Sequence, residues 1–137
     1  HDGKQFQRRD ELTSEEVSLY GVWGSAIDNV YIVGSHGTIL HFNGNEEGEW
    51  KPMESGTEEY LLSIWGSSSN DIFAVGDNAT ILHYDGNSWS SMDSITEKYL
   101  TKVRGLRSDC VYAVGDDGLV IRFDGEKWND MSLGEGS

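Results

Sequence analysis

Short apolar runs separated by small polar clusters recur along this chain, and they predict β-strands. The clearest stretch is 61–92, where the pattern predicts four strands over 60–65, 72–76, 80–84 and 88–92. Two runs, Ile-Phe-Ala-Val at 72–75 and Val-Tyr-Ala-Val at 111–114, are apolar at every position. Strands of this kind need cover on both faces of their sheet. We therefore expect small antiparallel sheets, each covered on both sides by a neighbour.

Most of the chain is a repeat of that stretch. The glycines that end the second predicted strand, Gly34, Gly76 and Gly115, are spaced by 42 and then 39 residues. A fixed period in this range is typical of repeat architectures. The three additional residues of the first copy fall within 45–49, in a predicted turn. The pattern predicts one domain with repeats at 19–60, 61–99 and 100–137.

The segment 1–18 precedes these copies and is mostly polar, with Phe6 and Leu12 as its only large apolar residues before Val17. Its resemblance to the end of a repeat predicts the last strand of a preceding unit. A frayed terminus is the alternative.

Each repeat also carries a turn pair followed by tryptophan. The second and third copies read Asp85-Gly86-Asn87-Ser88-Trp89 and Asp124-Gly125-Glu126-Lys127-Trp128, whereas the first has Asn43-Gly44 and a longer loop before Trp50. With the Val-Gly pairs, these turns resemble the blade repeat of Asp-box (BNR) propellers and of photosystem II assembly-factor-type propellers, over roughly residues 19–131. The resemblance implies an all-β fold of three four-stranded antiparallel β-propeller blades. A β-trefoil also consists of three repeats of about 40 residues with four strands each, and it is the alternative.

Charge narrows the class of partner. The 137 residues include 24 acidic and 10 basic side chains, a net charge of −14, which repels nucleic acid and an anionic membrane surface. No run approaches the roughly 18 apolar residues that span a bilayer. The single cysteine, Cys110, cannot form an internal disulfide and does not identify the compartment. The first residue is His1 rather than Met, which allows a processed precursor, so an extracellular or periplasmic location is the expectation.

The sequence carries no recognisable catalytic or metal constellation. His41 and His83 occupy matching positions, where the third copy has Arg122, and side chains repeated around an axis diverge instead of converging on a metal. No serine occurs with a histidine and an aspartate at matching positions of the repeats, so the sequence does not support a Ser-His-Asp catalytic triad. The resemblance to Asp-box proteins includes sialidases, but the arginine cluster that their chemistry needs is missing, since the arginines are mostly confined to one copy. We expect no enzyme activity and no cofactor.

Candidate binding residues lie in the loops that a propeller would gather around the mouth of its axis. Convergent carboxylates there could bind Ca²⁺ or a basic partner surface, although Asp and Asn are also ordinary turn residues. Tyrosines before the first strand could bind a sugar or a peptide. Arg104 replaces the tryptophan of the other copies. The candidates are His36, Glu58, Glu59, Tyr60, Asp77, Asn78, Glu97, Tyr99, Arg104, Asp116 and Asp117.

The function that this pattern favours is a noncatalytic propeller module for protein–protein interaction or self-assembly. Because propellers typically have four to eight blades, three repeats are either part of a longer propeller or half of a homodimeric six-bladed ring. A carbohydrate-binding or glycoside-hydrolase-related module is the alternative.

Overall fold

The computed structural model describes residues 17–44 and 50–132. This part of the chain contains twelve β-strands in three separate four-stranded antiparallel sheets, with strand orders β1-β2-β3-β4, β5-β6-β7-β8 and β9-β10-β11-β12. The fold is the expected all-β arrangement of propeller blades, and the trefoil alternative is wrong. The strands are β1 (Leu19–Ala26), β2 (Asn29–Gly34), β3 (Ile39–Phe42), β4 (Trp50–Pro52), β5 (Leu61–Ser68), β6 (Asp71–Gly76), β7 (Ile81–Tyr84), β8 (Trp89–Ser91), β9 (Leu100–Arg107), β10 (Cys110–Gly115), β11 (Val120–Phe123) and β12 (Trp128–Asp130).

Two expectations fall outside the described residues. They are the leftover strand in segment 1–18, of which only 17 and 18 are described, and the longer loop at 45–49. The first strand of the second blade, β5, is longer than predicted. Its pairing with β6 shifts register between Leu61 and Ser63 and again between Gly66 and Ser68. These bulges let the strand continue through small polar residues that the apolar pattern does not mark.

The first strands of consecutive blades, β1, β5 and β9, are neighbours in space and form the inner edge of the array. Each blade therefore has two faces. We call the face directed toward the preceding blade the leading face and the other the trailing face. In the second blade, Ile72 and Ala74 of the leading face are buried against the first blade, and Phe73 and Val75 of the trailing face against the third. This alternation explains why the strand is apolar at every position.

The tryptophans that follow the turn pairs pack between blades. Trp89 is buried between the first and second blades and Trp128 between the second and third. Trp50, at the same position of the first blade, is half-buried.

The repeated glycines at the end of the second strands are required by a close backbone approach. A Cβ on Gly76 would lie 1.8 Å from the carbonyl oxygen of Tyr60, and one on Gly115 would lie 1.9 Å from that of Tyr99. The same carbonyls accept hydrogen bonds from the Asp77 and Asp116 backbone N–H groups, at 3.0 and 3.2 Å. The glycines thus bring the turn after each second strand against the connection that enters the blade.

Candidate functional site

Two sets of loops meet at one end of each blade, which we call the loop end. One set is the tight turns between the second and third strands, Ser35–Gly37, Asp77–Ala79 and Asp116–Gly118. The other is the connections between blades, 53–60 and 92–99. This is the juxtaposition that the sequence analysis expected for the candidate residues other than Arg104.

The central residue of each tight turn has a positive φ: 57° for His36, 55° for Asn78 and 62° for Asp117. Among non-glycine residues, Asn, Asp and His adopt this left-handed conformation most readily. All three side chains are exposed. The residue types at this position are therefore explained by the turn, and the turn presents them at the loop end.

The connections between blades are organised by serine and threonine side chains. In the first connection, the Thr57 N–H donates to Ser55 Oγ and the Glu59 N–H to Thr57 Oγ1. Thr96 and Lys98 make the matching bonds in the second connection. The sequence carries this signal as Ser-x-Thr-Glu-x, which the sequence analysis missed. It places Glu59 and Lys98 at equivalent positions beside the tight turns.

Each of these two side chains reaches the tight turn of its own blade. Asn78 Nδ2 donates to Glu59 Oε1 at 2.9 Å, and Lys98 Nζ lies 3.8 Å from Asp117 Oδ2. The exposed ion pair between Lys98 and Asp117 contributes little to stability. The lysine places a positive charge beside the tight turn of the third blade, where the second blade has Glu59.

Three candidate carboxylates come together around the second blade. Partial burial, with the negative charges of Glu59 and Asp116 close by, raises the pKa of Asp77. Glu59 lies on the connection that enters the same blade, and Asp116 on the turn of the next. The loop end therefore carries a local excess of negative charge that spans two blades.

Aromatic rings adjoin this acidic cluster. The rings of Tyr20 and Tyr60 are stacked at 6.1 Å, and the His36 ring meets Tyr60 edge-on at 5.2 Å. Tyr20 lies within β1, whereas Tyr60 and Tyr99 directly precede β5 and β9. A shallow groove of about 460 Å³ lies beside His36 and Glu58.

Arg104 lies apart from the other candidates, on the inner strand β9. With Lys102 it lines a groove of about 380 Å³ along the inner edges of the three blades. Lys102 was missed by the sequence analysis, although its position two residues before Arg104 on a strand places both on one face. The groove is also lined by Tyr20, Trp23, Ser63 and Trp65.

Within residues 17–44 and 50–132, no group of three or more His, Cys, Asp or Glu side chains is arranged to hold a metal ion. The Ca²⁺ expectation therefore gains no support. The histidines repeated on the third strands bind residues of their own blade. His41 Nε2 pairs with Asn29 Oδ1 at 2.6 Å, and His83 Nε2 with Asp71 Oδ1 at 2.7 Å. No helix in the described part of the chain is long and apolar enough to cross a membrane.

No protein-family model and no curated protein matches the sequence. Solved structures do match. YCF48 from Cyanidioschyzon merolae superposes with a TM-score of 0.69 at 19% identity, over 87% of this chain and 38% of that one. A structure of YCF48 bound to D1 peptide gives a TM-score of 0.68 at 18% identity, over 83% of this chain and 40% of that one.

These matches show the propeller fold and support the resemblance to photosystem II assembly-factor-type propellers, but they give no support to the Asp-box resemblance. The chain spans about two fifths of the length of the structures it matches.

Proposed function

We propose that this chain is a noncatalytic propeller module that binds a protein partner at its loop end. The observation that carries the proposal is the convergence of Glu59, Asp77 and Asp116 from two adjacent blades beside the exposed ring of Tyr60. Carboxylates held close together gain when a cation approaches, and tyrosine rings attract the same cations through their faces. The partner we propose is a peptide segment that contains Lys or Arg.

The solved complex of YCF48 with D1 peptide supports peptide binding by a propeller of this fold. The two open blade faces of the three-blade array favour a second element of the proposal, that the chain is one part of a larger ring. The ring is completed either by further blades of a longer polypeptide or by another copy of the chain.

Binding to an array of peptides that vary in Lys and Arg content tests the loop-end proposal. The loop-end variant carries Glu59→Gln, Asp77→Asn and Asp116→Asn. A matched control removes three carboxylates from the turns at the opposite end, with Asp28→Asn, Asp109→Asn and Glu126→Gln. We expect the native chain and the control to bind basic peptides in a salt-sensitive manner, and the loop-end variant to lose that binding.

Equal binding by both variants would contradict the proposal, because the carboxylates would then act only through net charge. Absence of binding to any peptide would also contradict it. The carbohydrate alternative would instead be favoured by a glycan-array signal that disappears in Tyr60→Ala or Tyr99→Ala.

A further inference from the structure

The two outer faces of the three-blade array are not covered by any part of the chain that the structure describes. On the leading face of the first blade, Val22 is 65% exposed, whereas Ile64 and Val103 at the same position of the other blades are 7% and 2% exposed. On the trailing face of the third blade, Tyr112 is 37% exposed, whereas its counterpart Phe73 is 1% exposed. Both faces expose positions that are core elsewhere in the same molecule.

We call the contact between the inner strands of two adjacent blades, with the residues packed around it, a joint. The two joints in this structure are built in the same way. A tryptophan on the trailing side of one inner strand lies over a glycine of the next. A Cβ on Gly66 would lie 2.9 Å from the Trp23 ring, and one on Gly105 would lie 2.5 Å from the Trp65 ring. The ring and the glycine are thus complementary halves of each joint.

An aromatic contact forms the outer part of the second joint. Phe73 on the trailing face packs 5.5 Å from the Phe123 ring and 6.1 Å, edge-on, from the Trp128 ring of the next blade. Phe123 and Trp128 are themselves 5.3 Å apart with an interplanar angle of 40°. This pair is the surface that receives the aromatic side chain of the preceding blade.

The open leading face of the first blade already has the receiving half of this joint. Phe42 and Trp50 are 5.5 Å apart with an interplanar angle of 37°, nearly the geometry of Phe123 and Trp128. Gly24 pairs with Val30 as Gly105 pairs with Val111, and the three atoms nearest to a Cβ on Gly24 all belong to its own blade. The open trailing face of the third blade has the inserting half, with Tyr112 in the position of Phe73 and Arg104 in that of Trp65.

Charge distinguishes a head-to-tail contact from other pairings of these faces. The trailing face of the third blade carries three cations, Lys102, Arg104 and Arg122, on strand positions that share that face. On the described strands of the first blade, the side chains that share the leading face are uncharged: Val22, Val30, Ile32, Leu40 and Phe42. Trailing-to-trailing contact would therefore bring cations together, whereas trailing-to-leading contact avoids that repulsion.

We propose that the trailing face of the third blade docks on the leading face of the first blade of a second copy. Tyr112 then packs on Phe42 and Trp50 of the other copy, and Arg104 lies over its Gly24. Two such contacts, related by a twofold axis, close a six-bladed ring. This inference rests on the proposed larger ring and names the completing element and the two faces that join.

Sedimentation equilibrium of the full chain tests the proposal. We expect twice the 15.2 kDa monomer mass for the native chain. Tyr112→Lys and Val22→Lys, each placing a charge in one face, are expected to weaken the dimer at least tenfold and to sediment as monomers at the same concentration. Ile27→Lys is the control, because Ile27 is 93% exposed in a turn outside both faces and the charge added is the same. Near-ultraviolet circular dichroism checks that each variant is folded.

Mixing the two variants separates head-to-tail contact from other arrangements. The Tyr112→Lys chain keeps a native leading face and the Val22→Lys chain keeps a native trailing face, so the mixture can form one native contact. We expect a mixed dimer, detected with chains of different mass. If instead both faces met their own kind, mixing would restore nothing.

The outcomes distinguish this inference from the broader proposal. A monomeric native chain at high concentration overturns assembly by a second copy and leaves completion by a longer polypeptide. A native dimer that persists in both variants overturns the assigned faces while keeping self-assembly. Assemblies larger than two copies overturn the closed ring. Loop-end binding is measured separately on the peptide array and is affected by none of these results.

Discussion

The contact between the Trp65 ring and Gly105 predicts that even an added methyl group, in Gly105→Ala, lowers the free energy of unfolding. Gly105→Ala would place a Cβ 2.5, 2.6 and 2.9 Å from three atoms of that ring. The ring is held between two blades, and Gly105 lies on the inner strand of the second of them. The added methyl group can be accommodated only if the blades or the ring shift.

Overpacking a well-packed contact by one methyl group costs about 1–3 kcal/mol. Replacing glycine by alanine also reduces the entropy of the unfolded chain, which returns about 0.4–1 kcal/mol. The net expectation for Gly105→Ala is a loss of about 1–2 kcal/mol of unfolding free energy. Gly24→Ala is the matched control, since the three atoms nearest to its Cβ belong to its own blade, the nearest at 3.0 Å. We expect a smaller loss there.

Urea denaturation followed by far-ultraviolet circular dichroism measures these differences. Both substitutions are made in the Tyr112→Lys background, so that Gly24 remains open. Trp65→Leu, combined with Gly105→Ala, completes a double-mutant cycle. We expect the alanine to cost at least about 1 kcal/mol less once the ring is gone, because the two sites are in contact. If Gly105→Ala is neutral, or no worse than Gly24→Ala, the ring-on-glycine description of the joint is refuted.

Three further changes test other parts of the structure. Ser63→Ala is expected to lower the free energy of unfolding by about 1–3 kcal/mol in chemical denaturation, since a buried backbone N–H of the next blade donates to Ser63 Oγ; the exposed Ser68→Ala should have a much smaller effect, and equal effects would contradict this. Asp77→Asn is expected to raise the melting temperature at pH 7 but not near pH 3, because the raised pKa of Asp77 means that ionisation opposes folding once the pH rises past its unfolded value of about 3.9; a gain that is the same at both pH values would contradict it. Asp124→Asn is expected to have the opposite effect, because backbone N–H groups of its turn lower the pKa of Asp124, so the carboxylate stabilises the fold at neutral pH and that contribution is lost as the pH falls through the lowered folded pKa; an acid-unfolding curve with an unchanged slope would count against it.

The loop end and the inner groove differ in charge, and this difference matters for any partner. Glu59, Asp77 and Asp116 make the loop end acidic, whereas Lys102 and Arg104 add cations to the groove. A basic peptide bound at the loop end would be repelled from the groove side of the third blade. In a closed ring, the same cations would be used at the joint between copies.

The repeat, the strand content and the need for cover on both faces of each sheet can be predicted from the amino-acid pattern. These features could be predicted because they depend on local rules. Alternation along a strand, turn residues such as Asp85-Gly86 and the fixed spacing of Gly34, Gly76 and Gly115 are all visible along one dimension. The doubly apolar run at 72–75 was enough to favour stacked blades over a barrel-like trefoil.

Which residues meet across blades depends on how the blades pack in three dimensions. Nothing in the spacing of Trp65 and Gly105 shows that the ring lies over the glycine, because the contact depends on how far one blade is rotated against the next. The approach of Glu59 and Asp116 to Asp77, and the shared face of Lys102 and Arg104 in the inner groove, depend on the same rotation. The local pattern places these residues in loops and strands, but distances between different repeats are set by packing.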